Sequence, residues 1–338
     1  MRFIPNHSLA SLNTFGFDQS AEWYCEAASL DDMHEALEFA TARDLPVFIL
    51  GGGSNIVLTD NVPGLTIHQT SREIHYSQQD DTRWVSAHAG VNWHHLVLDS
   101  IKHGYNGLEN LSLIPGDAGA APIQNIGAYG VELAQRLISV EIMHLASGEV
   151  TTLLNEECQF GYRDSIFKQQ LRKKVAVLTI NLEIYSNNQL DIDYAGVAAE
   201  LEKSGATAPT AKDVSEVICK IRRLKLPNPA IVGNAGSFFK NPVVEVSQFQ
   251  KLKEIHTALP GFRSSPTLVK IPAAWLIEHC GWKGTQRGGI GVHQHQSLVL
   301  THSGGSTGTE LLNLSHDIRE SVIEKFGIAL EREPVQVP

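Results

Sequence analysis

Cysteine is scarce in this chain, and its spacing excludes two classes at once. The four cysteines, Cys25, Cys158, Cys219 and Cys280, lie far apart among 338 residues, and no Cys-x-x-Cys occurs. A dense disulfide framework and a cysteine-built metal site both lack support. Positive charge is also in deficit. Lys and Arg number 27 against 37 Asp and Glu, a formal net charge of −10, which argues against broad nucleic-acid binding. No apolar run approaches the ~20 residues needed to cross a bilayer. The opening residues Met1, Arg2, Phe3, Ile4, Pro5 and Asn6 have no apolar stretch of the signal-peptide kind. A cytoplasmic protein with no membrane insertion is therefore expected. There is no Gly-x-Ser-x-Gly elbow, against a serine hydrolase, and no Walker A motif. Among fifteen histidines, His293 and His295 would share a face on a strand but have no third ligand nearby, so no metal is expected.

Small residues, by contrast, are concentrated. Residues 113–130 carry Gly116, Gly119, Gly127 and Gly130 alongside Ala118, Ala120, Ala121 and Ala128, with only Gln124 and Asn125 offering side-chain amides. No apolar stripe repeats at the helical period there. The stretch reads as backbone that something flat or charged approaches closely. An earlier run, Gly51, Gly52, Gly53, Ser54 and Asn55, directly follows the apolar strand at 47–50. A lone run of this kind is most simply a packing turn. Two of them, one directly after a strand, favour the lining of a dinucleotide cofactor. The Rossmann fingerprint needs a helix after such a loop. Here Ile56, Val57 and Leu58 and then an Asp-Asn-Val-Pro-Gly turn follow, so a Rossmann domain is disfavoured.

The chain is long enough for two or three domains. Residues 20–70 read as a small βαβ unit. Ser29 and Asp32 suit a helix start, Met33, Ala36, Leu37 and Ala40 form an apolar stripe, and Pro46 precedes the strand at 47–50. Beyond residue 71 come strands at 83–89, 137–145, 149–154 and 175–185, with a helix marked by Trp93, Leu96, Val97 and Ile101 and ended by Gly104. Residues 203–212 suit a linker. Thr210 and Asp213 form a capping box for a helix striped by Val214, Val217, Ile218 and Ile221. Lys220, Arg222, Arg223 and Lys225 crowd its end. That cluster serves either the helix macrodipole or a diphosphate site. A third region, about 223–328, carries a helix around 273–279, a turn at Gly288 and Gly289, a strand at 297–301 and a helix from about 309 to 326.

Three segments concentrate polar chemistry. In residues 160–168 aromatic side chains surround Arg163 and Asp164, as an oriented guanidinium for an anion or as a structural salt bridge. In 236–241, Ser237 stands between Gly236 and two phenylalanines, with Lys240 three residues on, as a tuned hydroxyl or a turn serine. Residues 330–334, with Glu331 and Glu333, have no special claim from composition alone.

The motifs at 13–16, 50–55, 114–130, 160–168, 225–227 and 233–242 together resemble the UDP-N-acetylenolpyruvoylglucosamine reductase family, over nearly the whole chain. Tyr194 resembles the tyrosine of the family type, type I, that places one over the substrate. The resemblance implies an α+β protein: a two-subdomain FAD-binding fold of the vanillyl-alcohol-oxidase type plus a C-terminal α+β substrate-binding domain. The implied divisions are 1–70, with 329–338 returning to it, 71–222, and 223–328. It implies bound FAD, NADPH as co-substrate, and reduction of UDP-N-acetylglucosamine-enolpyruvate to UDP-N-acetylmuramate by a monomer in peptidoglycan precursor synthesis. Gly51, Gly52, Gly53, Ser54 and Asn55 would meet the FAD pyrophosphate. Ile114, Pro115, Gly116, Gly119, Ala120, Gln124, Asn125, Gly127, Ala128, Tyr129 and Gly130 would line the flavin. By the same resemblance, Arg163 and Glu333 polarise the substrate carboxylate and Ser237 gives a proton to C2. Tyr194, Arg222, Lys225, Asn241 and Gln296 match substrate-binding positions. Two positions depart from the family pattern: the ending Leu-Glu-Arg-Glu-Pro in place of Leu-Glu-Pro-Glu-Val, and Asp117 where a small neutral residue is usual. A flavoprotein oxidase of another substrate and a redox-inactive nucleotide-sugar-binding module are the competing readings.

Overall fold

A computed structural model describes residues 1–187, 189–205 and 207–338. The chain divides into two compact units. One comprises Met1–His7, Ala21–Gly53 and Val62–Arg223, the other Ser8–Ser20, Ser54–Asn61 and Leu224–Pro338.

The first unit holds two sheets. One has the order Ile4–Ser8, Ser20–Ala27, Val62–Gln69, Val47–Leu50, with the last three strands mutually parallel. Helix Leu30–Thr41 connects the parallel strands. Ser29 Oγ accepts from the Asp32 N–H at 3.1 Å, and the Asp32 carboxylate accepts from the Ala28 N–H, one residue before the cap. Its stripe of Met33, Ala36, Leu37 and Ala40 is buried against Cys25, Leu65 and Ile67, as the helical period requires. After Val47–Leu50 comes a turn and then strand Ile56–Leu58, without the helix that a Rossmann motif needs.

The second sheet is antiparallel, in the order Val150–Leu154, Leu137–His144, Val175–Ile184, Thr82–His88, Ile74–Gln79. Helix Trp93–Lys102 buries Trp93, Leu96 and Val97 in the core that also takes Val85, Val140, Ile180 and Leu182. Helices Ala195–Ser204 and Ala211–Lys225 pack through Val197, Leu201, Val214 and Ile218. The capping box of Thr210 and Asp213 is formed in both directions. The stretch expected as a linker at 203–212 thus spans the end of one helix and the start of the next, and residue 206 lies outside the described residues.

In the second unit, Val335–Val337 runs parallel to Ile56–Leu58, a pairing made across most of the chain length. Val243–Glu245, Leu268–Lys270 and Phe262–Arg263 form one small sheet. Gln286–Arg287, Ile290–Val292 and Leu300–His302 form another, turning at Gly288 and Gly289. The expected strand at 297–301 starts later, at Leu300. Leu298 and Val299 instead pair with the chain at Ser237 and Phe238. Helix Gly308–Phe326 opens with a capping box of Thr307 and Glu310 and closes on the left-handed Gly327. Among the described residues, no helix is long and apolar enough to cross a membrane.

Candidate functional site

The two glycine-rich runs meet in the first unit. A Cβ built on Gly52 would lie 3.0 Å from Gly116 Cα and 3.2 Å from Asp117 Oδ2. Any side chain at 52 would force the two backbones apart. The second run is pinned from behind: Trp93 N–H donates to Gly116 O, Ala118 N–H to Val91 O and Gly119 N–H to Ala89 O. A Cβ on Gly119 would come within 2.6 Å of Ala89 Cβ, so its smallness serves packing. Along the run, Leu113, Asn125 and Tyr129 have left-handed backbone, a conformation costly for a side chain and found where surrounding structure holds it. Ala120 and Pro115 are exposed, Ile114 and Gln124 half-buried. Gly127–Ala128 and Val131–Glu132 form a tight hairpin turning at Tyr129 and Gly130. This cradle of bare backbone fits the close approach of a flat dinucleotide cofactor.

Asp117 is the electrostatic exception. Its half-buried carboxyl lies against Gly51 and Gly52, and burial pushes its pKa up to about 6, while Arg72 works weakly in the other direction.

Asn125 is almost fully buried, and its amide is spent on the protein. Nδ2 donates to Glu132 Oε2 and Gly161 O, and Oδ1 accepts from the Ala134 N–H. The Arg163 guanidinium donates to the carbonyls of Asn125, at 3.2 Å, and Gly127, at 2.6 Å. Those carbonyls orient it. Asp164 accepts from the Ser165 N–H and the Gln169 amide.

Near Arg163 the sequence candidates gather. Tyr129 lies close enough to Arg222 for the two to interact electrostatically, and it packs edge-on against Tyr194, with ring centroids 5.4 Å apart. Arg222 feels the repulsion of Arg163, and its buried Nε has no partner among the described residues. The approach of Tyr129 to Arg222 was not legible from sequence, since the glycine-rich run pointed to backbone rather than to this phenol. Of the other cations on this helix, Lys220 pairs with Glu200 at 2.7 Å, while Lys225 is exposed at the helix end.

In the second unit, the Ser237 segment lies between two strands of chain. Ser237 bridges Val299, and Phe238 N–H donates to Leu298 O. On the other side Glu333 N–H donates to Phe238 O, Phe239 bridges Arg332, and Lys240 N–H donates to Glu331 O. Glu333 is thereby paired with Phe238, the residue after Ser237 in the chain, and the Ser237 hydroxyl makes no hydrogen bond among the described residues. The Asn55 amide donates to Glu333 O at 3.3 Å, and Val335 N–H donates to Asn55 O. Glu331 pairs with Lys240 at 2.5 Å. Asn241 Oδ1 accepts from the Ala273 N–H, so it starts helix Ala273–His279, and Gln296 is half-buried before Leu298. His293 and His295 lie beyond strand Ile290–Val292, in a loop, with rings 5.7 Å apart.

Comparison with known proteins identifies the family of the chain. Residues 21–154 match the FAD binding domain family, and residues 228–337 match the UDP-N-acetylenolpyruvoylglucosamine reductase C-terminal domain. A protein of Pseudomonas aeruginosa named UDP-N-acetylenolpyruvoylglucosamine reductase is 45% identical over 329 residues, 97% of this chain and 96% of its own. One of Pseudomonas fluorescens with the same name is 43% identical, covering 98% and 97%. The crystal structure of UDP-N-acetylenolpyruvylglucosamine reductase from Thermus caldophilus superposes with a TM-score of 0.66 at 21% identity, covering 100% of this chain and 98% of that one, which bears on the fold alone. With relatives above 40% identity across nearly its whole length, this chain belongs to the UDP-N-acetylenolpyruvoylglucosamine reductase family.

Proposed function

We propose that the chain reduces UDP-N-acetylglucosamine-enolpyruvate to UDP-N-acetylmuramate with NADPH, as an FAD-dependent oxidoreductase of peptidoglycan precursor synthesis. The observation that carries this is the near full-length family match. Bound FAD supplies hydride transfer between NADPH and C3 of the enolpyruvyl group. The chain's own residues then have three tasks. The backbone of Gly51, Gly52 and Gly53, with Ser54 and Asn55, holds the cofactor pyrophosphate. Ile114, Pro115, Gly116, Gly119, Ala120, Gln124, Asn125, Gly127, Ala128, Tyr129 and Gly130 line the flavin. Arg163 and Glu333 polarise the substrate carboxylate, on which negative charge develops, and Ser237 donates the proton that C2 receives. Stabilising charge where it develops is commonly the largest single contribution to such a step. Tyr194, Arg222, Lys225, Asn241 and Gln296 hold the nucleotide sugar. The reading keeps 1–70, 71–222 and 223–328 as functional domains, with 329–338 returning to the first. Its proposed setting is the cytoplasm, as a monomer.

The absorbance spectrum of the purified protein tests the reading. A flavin band that NADPH bleaches, and that the enolpyruvyl substrate restores under nitrogen, is expected. Colourless protein that takes up no FAD contradicts it and favours a binding module. Reduced flavin that only oxygen restores favours an oxidase.

Two further results are expected. Lys225→Ala should weaken UDP-sugar binding about tenfold or more, since a hydrogen bond to a charged group contributes roughly 1.5–3 kcal/mol, while flavin content is unchanged. Isothermal titration checks it. An unchanged affinity returns Lys225 to the macrodipole. The second concerns Asp117. Burial raises its pKa in the fold from the ordinary carboxylate range to about 6. Its favourable share of stability is therefore complete below the unfolded value and lost as pH rises through about 6. An ionised carboxylate beside the pyrophosphate-holding loop also opposes the cofactor. FAD affinity should fall above pH 6, by up to about tenfold per unit, and should be tighter and nearly flat with pH in Asp117→Asn. Fluorescence titration of the apoprotein with FAD at pH 5.5 to 8.5 measures it. Parallel profiles for both proteins would reject the effect.

A further inference from the structure

One cluster of metal-ligating side chains stands outside the chemistry above. Strands Ile74–Gln79 and Thr82–His88 form a hairpin whose first strand is the edge of the five-stranded sheet. Just before that edge strand, the Glu73 carbonyl accepts from the His88 N–H at 3.0 Å, which makes Glu73 and His88 cross-strand neighbours. His75 lies two residues beyond Glu73, a spacing that returns a side chain to the same face of extended backbone. One ligand atom from each of Glu73, His75 and His88 lies within 4.8 Å of the others. His75 Nε2 is 3.0 Å from Glu73 Oε2, and the two rings meet edge to face with centroids 6.1 Å apart.

We propose that Glu73, His75 and His88 form a binding site for a divalent transition metal of the Zn²⁺ class, closed by water or an outside ligand. The donor set decides the class. Two imidazoles and one carboxylate suit zinc, copper or nickel, whereas magnesium and calcium call for oxygen alone. Metal–ligand bonds of about 2.0–2.2 Å set ligand atoms roughly 3.3 Å apart in a tetrahedron, so each side chain closes on the ion with a movement of about 1 Å. Glu73 and His75 are solvent-facing, with side chains 66% and 62% exposed, and free to make that movement. His88 is the fixed member. Its Nδ1 lies 2.5 Å from Ser71 Oγ. In the tautomer that ligates, Nδ1–H donates to that hydroxyl and Nε2 faces the ion. A ligating histidine is normally held in this way through its other nitrogen. A metal here would staple the sheet's open edge to its neighbour.

The test uses the FAD-loaded protein and Zn²⁺ in competition with a chromophoric chelator. One tight equivalent is expected. His75→Ala, at an exposed position, should weaken it at least about 100-fold. Ser71→Ala, which removes no ligand, should weaken it about 10–100-fold, the usual cost of losing an orienting partner. Because other histidines also take zinc, His295→Ala serves as a control and should change nothing. The proposal is overturned if the parent protein holds no tight equivalent, or if His75→Ala retains the parent's stoichiometry and affinity. It is also overturned if Ser71→Ala binds as the parent does, because the ion would then not use an oriented His88.

Discussion

Ser237→Ala is expected to keep its FAD and to be bleached by NADPH at close to the parent rate, yet to lose reoxidation by the enolpyruvyl substrate by roughly 10²–10⁴-fold. The asymmetry follows from when the proton is needed. Charge develops at C2 only as C3 receives hydride, so a donor to C2 has no part in the reduction by NADPH. The Ser237 backbone is fixed by its bridge to Val299 and by the ladder from Phe238 to Leu298 and Glu333. The backbone ladder remains when the hydroxyl is removed, and no hydrogen bond of that hydroxyl is lost among the described residues. Packing therefore gives no reason for the fold to suffer. Ser237→Cys keeps a transferable proton and should retain more activity than the alanine variant. Stopped-flow traces of the flavin band, one for each half-reaction, measure the split. Equal slowing of both halves would remove Ser237 from the chemistry.

Glu333→Gln should lower turnover by about 10²-fold or more, whereas Glu331→Gln should change it little. The magnitude is that of losing one group aimed at developing charge. The ranking comes from the backbone ladder. Glu333 lies across from Phe238, next to Ser237, while Glu331 lies across from Lys240 and is held by its side chain. In that pair the Glu331 side chain is exposed while that of Lys240 is mostly buried. Arg332 bridges Phe239 between them, so the register from 331 to 333 is continuous despite the altered ending. Steady-state kinetics on the two variants decides it, and the reverse ranking would show Glu331 to be the residue at the substrate.

Both results depend on features the sequence carries unequally. The stripe of Met33, Ala36, Leu37 and Ala40, and the cap at Thr210, were legible because each is encoded within one turn of helix. The pairing of Val335–Val337 with Ile56–Leu58 was not encoded locally, because a short strand carries no mark of its distant partner. The position of Arg163 in an aromatic segment was visible, but carbonyl directions are not written in residue types, so its anchors at Asn125 and Gly127 were not. The amide of Asn125 read as available chemistry and proved to be consumed by Glu132, Gly161 and Ala134. For metals, the sequence offered only the i, i+2 pair His293 and His295, without a third ligand. The cluster at Glu73, His75 and His88 forms only when a hairpin register brings two strands together.

The most direct measurement of the central claim is anaerobic NADPH oxidation with and without UDP-N-acetylglucosamine-enolpyruvate, with product analysis. Without substrate, negligible oxidation beyond one flavin equivalent is expected; with it, one UDP-N-acetylmuramate should form per NADPH consumed. NADPH consumption indifferent to the substrate, or with no muramate product, would contradict it.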